Sequence, residues 1–143
     1  EEFYDGSGHP PNRLRPEELL TELYIPKMPP RSFAVFSKFA QREVVDFALV
    51  DVALSVSFEG NACTDARIAL GGVTSHPVRS LSGEALLRGE RLTAELMEEV
   101  GKAAAKDAEP ITPMWMSPAG KREIIKVLVK KGLERALANS KQV

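Results

Sequence analysis

Lys38 is the side chain in this sequence that most needs a chemical explanation. It falls mid-strand in Phe36-Ser37-Lys38-Phe39-Ala40, where an unpaired ammonium among apolar neighbours is costly. One account lets its stem cover apolar surface while the charge reaches water; the other keeps the charge for a function. The remaining candidates read more simply. Cys63 is the single cysteine, which excludes an internal disulfide and a cysteine cluster for zinc or iron–sulfur. It sits on a strand with no nearby cation to lower its pKa, so it reads as a packing residue. His76 precedes Pro77, which makes it extended and a loop residue, and His9 lies far away beside Pro10. Glu98 and Glu99 are adjacent on a helix and point apart, as on a solvated face rather than in an acid/base pair. Trp115, in a proline-bounded loop, reads as core filler or as an interface anchor. Gly71-Gly72, at a strand end, reads as a turn or bulge. Neither a G-x-G-x-x-G, nor a Walker loop, nor a nucleophile elbow occurs.

The chain has 143 residues, 43% hydrophobic and 27% charged, with a net charge of -1 from 19 basic and 20 acidic side chains. That is the balance of one ordinary globular domain. No basic stripe attracts nucleic acid, and no apolar run is long enough to span a bilayer. Glu1 and Glu2 are acidic where a secretory signal is basic, so a cytoplasmic setting is the expectation. The turn-rich opening without an initiator Met leads to a second one, that the chain is the ordered part of something larger.

Residues 1–30 read as a lead-in rich in proline. Pro16 to Leu20 fits one helical turn, Leu20 to Ile25 a short strand stopped by Pro26, and Pro29-Pro30 a joint. Ser32 to Ala40 alternates as a strand. Asp46 to Phe58 is the clearest strand, with Ala48, Val50, Val52, Leu54, Val56 and Phe58 on one face and Asp51, Ser55 and Ser57 on a partly solvated one. Glu59-Gly60-Asn61 turns it into a hairpin with Cys63 to Val73. Helices follow over Ser82–Arg88, over Leu92–Asp107, and from Ser117-Pro118, a capping hydroxyl with Pro at the first position. Ile125, Leu128, Val129, Gly132, Ala136 and Leu137 form the apolar stripe of the last helix. Strands first and helices afterwards predict an α+β fold: a small antiparallel sheet of about three strands with about three helices packed on one face, an open sandwich.

Phe36-Ser37-Lys38-Phe39-Ala40-Gln41-Arg42-Glu43, followed by Asp46-Phe47-Ala48-Leu49-Val50, resembles the start of a known domain. This is the C-terminal domain of the FAD-binding (medium) subunit of molybdenum hydroxylases, the xanthine dehydrogenase and aerobic carbon monoxide dehydrogenase family. The likeness continues through Ala69-Leu70-Gly71-Gly72-Val73, Pro77-Val78-Arg79, Glu84-Ala85-Leu86-Leu87-Arg88-Gly89 and Ser117-Pro118-Ala119-Gly120-Lys121-Arg122. The last departs from the bulkier, aromatic-containing segment of many relatives. Upstream, Phe3-Tyr4-Asp5-Gly6, Leu14 to Leu20 and Ile25-Pro26 resemble the tail of the preceding FAD domain.

The resemblance implies residues 1–30 as that tail and linker, and residues 31–143 as the flavoprotein C-terminal domain. It implies FAD held mainly by the preceding FAD-binding domain, whose Gly-rich loops have no counterpart here. It also implies a molybdenum cofactor and 2Fe-2S clusters in partner subunits, an iron–sulfur subunit and a molybdenum subunit. The domain would cover FAD during electron transfer from the clusters to an acceptor, and would be inactive alone. Lys38 is implied at the flavin, with Leu19 and Leu20 against the cofactor. Reduced flavin tends to carry negative charge near N1 and O2, and a nearby ammonium raises its potential. At 4 Å the attraction is about 1 kcal/mol in water and about 4 kcal/mol at an effective dielectric near 20, so Lys38 matters chiefly in a dried site. The alternative from another class is a standalone interaction or dimerisation module without flavin.

Overall fold

The protein is described by a computed structural model covering residues 3–4, 12–42, 45–110 and 116–141. The strands are β1 (Ser32–Ala40), β2 (Ala48–Glu59), β3 (Ala62–Gly71) and β4 (Val78–Arg79), and the helices are α1 (Leu81–Leu87), α2 (Ala94–Asp107) and α3 (Pro118–Ser140). The four strands form one antiparallel sheet in the order β1-β2-β3-β4.

Alternation decides which side of the sheet is buried. Val50, Val52, Leu54, Val56 and Phe58 of β2 join Val35, Ala66, Ile68 and Leu70 in the core, because successive strand side chains point to opposite faces. A register shift between Ser57 and Phe58 pairs Phe58 with Cys63, and this bulge brings Cys63 onto the core side. The helices supply the other half of the core. Helix α1 lies on β3, α3 lies across β1 and β2, and α2 packs on α1 and α3. The stripe of α3 buries Ile125, Val129, Gly132, Leu133 and Ala136. Gly132 lets that helix settle on the sheet, since a Cβ there would stand 2.5 Å from Leu54 Cδ2.

Each helix starts on a hydroxyl cap: Ser80 Oγ accepts from Gly83 N, Thr93 Oγ1 from Leu96 N and Ser117 Oγ from Gly120 N. Pro118 stands in the first turn of α3, as expected. Asp107, the last residue of α2, reaches back to α1 and accepts from Ser80 Oγ, Ser82 N and Ser82 Oγ.

Besides the start of β2 at Ala48 rather than Asp46, three details differ from the sequence expectation. The sheet has four strands rather than about three, because Val78–Arg79 pairs with Leu70 and Ala69. Leu20 to Ile25 takes no regular structure and joins no ladder among the described residues, so that apolar run is not a strand of this domain. Pro16 to Leu20 makes only a turn, closed by Glu18 N on Arg15 O at 3.0 Å. The joint at Pro29-Pro30 ends on Arg31, whose φ of 57° is left-handed and swings the chain into β1. Among the described residues no helix is long and apolar enough to cross a membrane.

Candidate functional site

With the helices on one side, the opposite face of the sheet is left open. Ala34, Phe36 and Lys38 of β1 lie there, opposite Ser55, Ala53 and Asp51 of β2. Those in turn face Arg67, Ala69 and Gly71 of β3. Ala34, Ala53 and Ala69 floor a shallow trough of about 560 Å³ walled by Phe36, Arg67 and Arg79. Phe36 is 61% exposed, so its ring stands on this face without cover from the domain.

Lys38 lies two positions beyond Phe36, where the sheet meets the β1–β2 turn. Its Nζ donates to the main-chain carbonyl of Asp46 at 3.2 Å. Among the described residues it closes no ion pair, so its charge faces outward. Asp46 organises the turn around it. Its carboxylate accepts from Arg42 N at 3.0 Å, Phe47 N at 2.9 Å and Arg42 Nη2 at 3.2 Å. The side-chain bond from Arg42 is the main reason this carboxyl is held below its ordinary range. These bonds also explain why β2 begins at Ala48 rather than at Asp46. Phe47, on the same turn, is 94% exposed.

Asp51 stands directly across from Lys38. Burial pushes its carboxyl above the usual range, while the positive charge of Lys38 works the other way. Its carboxylate lies over β3, for a Cβ on Gly71 would fall 2.2 Å from Asp51 Oδ1. Gly72, with φ of 69°, then turns against Leu49 O, which such an atom would approach to 2.9 Å.

The other sequence candidates do not gather at this site. Leu19 and Leu20 stand 83% and 50% exposed on the lead-in, and nothing in the sheet pairs with that segment. His76 is a loop residue, its ring stacked on Tyr4 with centroids 5.4 Å apart. Cys63 is fully buried, and desolvation pushes its thiol up to about 11. Glu98 is exposed and pairs with Lys102 at 3.0 Å. Trp115, His9 and Glu43 lie outside the described residues. No group of three or more His, Cys, Asp or Glu side chains among the described residues is placed to hold a metal.

Two buried charges carry no sequence signal. Glu84 accepts from Ile68 N at 2.9 Å and from Arg79 Nε at 2.9 Å, with a second, shorter contact to Arg79 Nη2. Lys121 is buried with its Nζ on the Gly72 carbonyl, and desolvation lowers its pKa. Spacing of five and sixteen residues for Glu84, and of 49 for Lys121, gives no period to read.

A cation, an exposed aromatic ring and a flat floor of small side chains suit an anionic planar group brought up by another body. Residues 35–136 match the CO dehydrogenase flavoprotein C-terminal domain, and the chain belongs to that family. It is 28% identical over 117 residues to the glyceraldehyde dehydrogenase medium chain of Sulfolobus acidocaldarius, covering 82% of this chain and 41% of the relative. With the nicotinate dehydrogenase FAD-subunit of Eubacterium barkeri it shares 29% over 99 residues, 68% of this chain and 33% of the relative. The chain thus spans less than half the length of either. Carbon monoxide dehydrogenase from Hydrogenophaga pseudoflava shares the fold at a TM-score of 0.75 and 24% identity, over 80% of this chain and 39% of that one.

Proposed function

We propose that this domain covers FAD in the medium subunit of a molybdenum-containing hydroxylase or dehydrogenase, the flavin being held mainly by a preceding domain. Residues 1–30 are then the end of that domain and the linker, and residues 31–143 the lid. The observation that carries this reading is the outward ammonium of Lys38 on a sheet face that this chain leaves open. Family membership and relatives named as FAD or medium subunits point the same way.

The residues present fit a flavin. Among the described residues the cation is not consumed by a carboxylate, Ala34, Ala53 and Ala69 allow a flat body to come close, and Leu19, Leu20 and Ile25 offer apolar surface with no cover of its own. FAD, when bound, supplies a two-electron carrier between the iron–sulfur clusters of one partner subunit and an acceptor, the molybdenum cofactor residing in another. Lys38 holds a positive charge toward the ring, fixed by the Asp46 carbonyl. Leu19 and Leu20 exclude water on the cofactor side, and exclusion of water raises the worth of that charge. The domain alone carries out no reaction, and the assembly works in the cytoplasm.

The test is made on the FAD-loaded subunit that carries this domain. Lys38→Ala is expected to lower the flavin midpoint potential or to weaken FAD retention. If potential and FAD affinity both stay unchanged, Lys38 has no place in the site.

A further inference from the structure

We propose that Asp51 is a counter-charge to Lys38 which holds the flavin potential below the value the lysine alone would set. This rests on the flavin-facing reading of Lys38. The two residues are direct cross-strand partners on the open face, so a group that meets the ammonium also meets the carboxylate's field. Their arrangement is asymmetric. The ammonium is drawn to the Asp46 carbonyl at the turn, whereas the carboxylate leans the other way, over the bare Cα of Gly71. They stay outside ion-pair contact, yet the ammonium's charge reaches the carboxylate through space. Gly71 is what permits this, because a side chain there would occupy the position of Asp51 Oδ1 and Cγ.

Among the described residues, the other charges nearby do not cancel Asp51. Arg42 is engaged with Asp46, while Arg67 and Arg79 lie farther along the face, beside Asp65 and Glu84. A fixed negative charge disfavours adding electrons to a neighbouring ring, as a fixed positive charge favours it. Both effects grow when a covering domain removes water. A lone lysine would give one setting; an opposed pair at unequal distances gives an intermediate one. Asp51 touches no reacting atom in this scheme and acts only through its charge.

Midpoint potentials of the FAD-loaded subunit, measured by spectroelectrochemistry, decide the matter. Asp51→Asn keeps the shape and removes the charge, and is expected to favour reduced over oxidised FAD about fivefold, about 20 mV upward at 29.6 mV per tenfold for two electrons. Asp51→Ser removes the same charge in a smaller side chain and is expected to shift the potential the same way, which a purely steric role would not do. If Lys38→Met lowers the potential while both Asp51 variants leave it in place, the counter-charge is overturned and the lysine's role stands. If Lys38→Met itself leaves the potential unmoved, the reading of Lys38 fails and takes the counter-charge with it.

Discussion

Glu84 is 2% exposed, and its carboxylate satisfies both Arg79 and the Ile68 amide. Glu84→Ala leaves the buried Ile68 amide without its acceptor and removes an ion pair with Arg79, so a loss of about 2–4 kcal/mol is expected in denaturant melts. Cys63 gives a prediction of the opposite kind, silence. With its thiol pushed up to about 11 and no surface exposed, it should resist iodoacetamide at pH 8 in the native protein and react once the chain unfolds. The proton linkage has a definite sign. Between the ordinary thiol value of 9.0 and about 11, the unfolded chain releases a proton that the folded one keeps, so stability falls as pH rises through that window. At this scale the sequence is legible where one residue clashes with its own pattern. Lys38 stands out because a charge interrupts a strand of aromatics. Glu84 does not, because its partners lie on β3 and β4, and a glutamate in an amphipathic helix reads as solvent-facing. Alternation puts Asp51 on the correct face, but its pairing with Lys38 needs the register, which alternation alone does not fix.

The hairpin of β2 and β3 is the most readable element, since period-two alternation runs along β2 and along β3 from Asp65 onward, and a turn sequence separates them. The caps at Ser117 and Pro118 are equally plain. Strand β4 is not, because two residues carry no period; it exists through the ladder that β3 offers. The expected strand at Leu20–Ile25 errs in the other direction. Its apolar residues signal burial, and among the described residues this domain supplies no surface that buries them. Close helix contact is another property that the sequence conceals. Gly101 on α2 packs so tightly on α3 that a Cβ would come 2.9 Å from the Lys126 carbonyl oxygen and 3.2 Å from its Cα. Gly101→Ala therefore has to push the two helix backbones apart, and we expect a loss of about 1–3 kcal/mol despite the better helix propensity of alanine. Thermal melts against an Ala103→Gly control, at a half-buried position of the same helix, separate packing from propensity.

For the molecule as a whole, the apolar residues without cover are concentrated in the lead-in and the β1–β2 turn, on Leu19, Leu23, Tyr24, Ile25, Val45 and Phe47. Removing residues 1–30 should thus reduce binding of a hydrophobic dye such as ANS. It should cost little stability, because the core cluster contains no residue before Val35; a drop in melting temperature of more than a few degrees would contradict that. The outer edge of the sheet has a further consequence. Strand β1 runs nine residues and pairs only with β2 among the described strands, so its far side presents a row of peptide groups able to template another chain. The edge at β4 is only two residues long and offers no such row. A newly made copy is therefore vulnerable on one flank, and Lys38, near the end of that flank, repels a like strand that tries to align there. The same ammonium would guard the polypeptide against clumping, a service independent of any redox role.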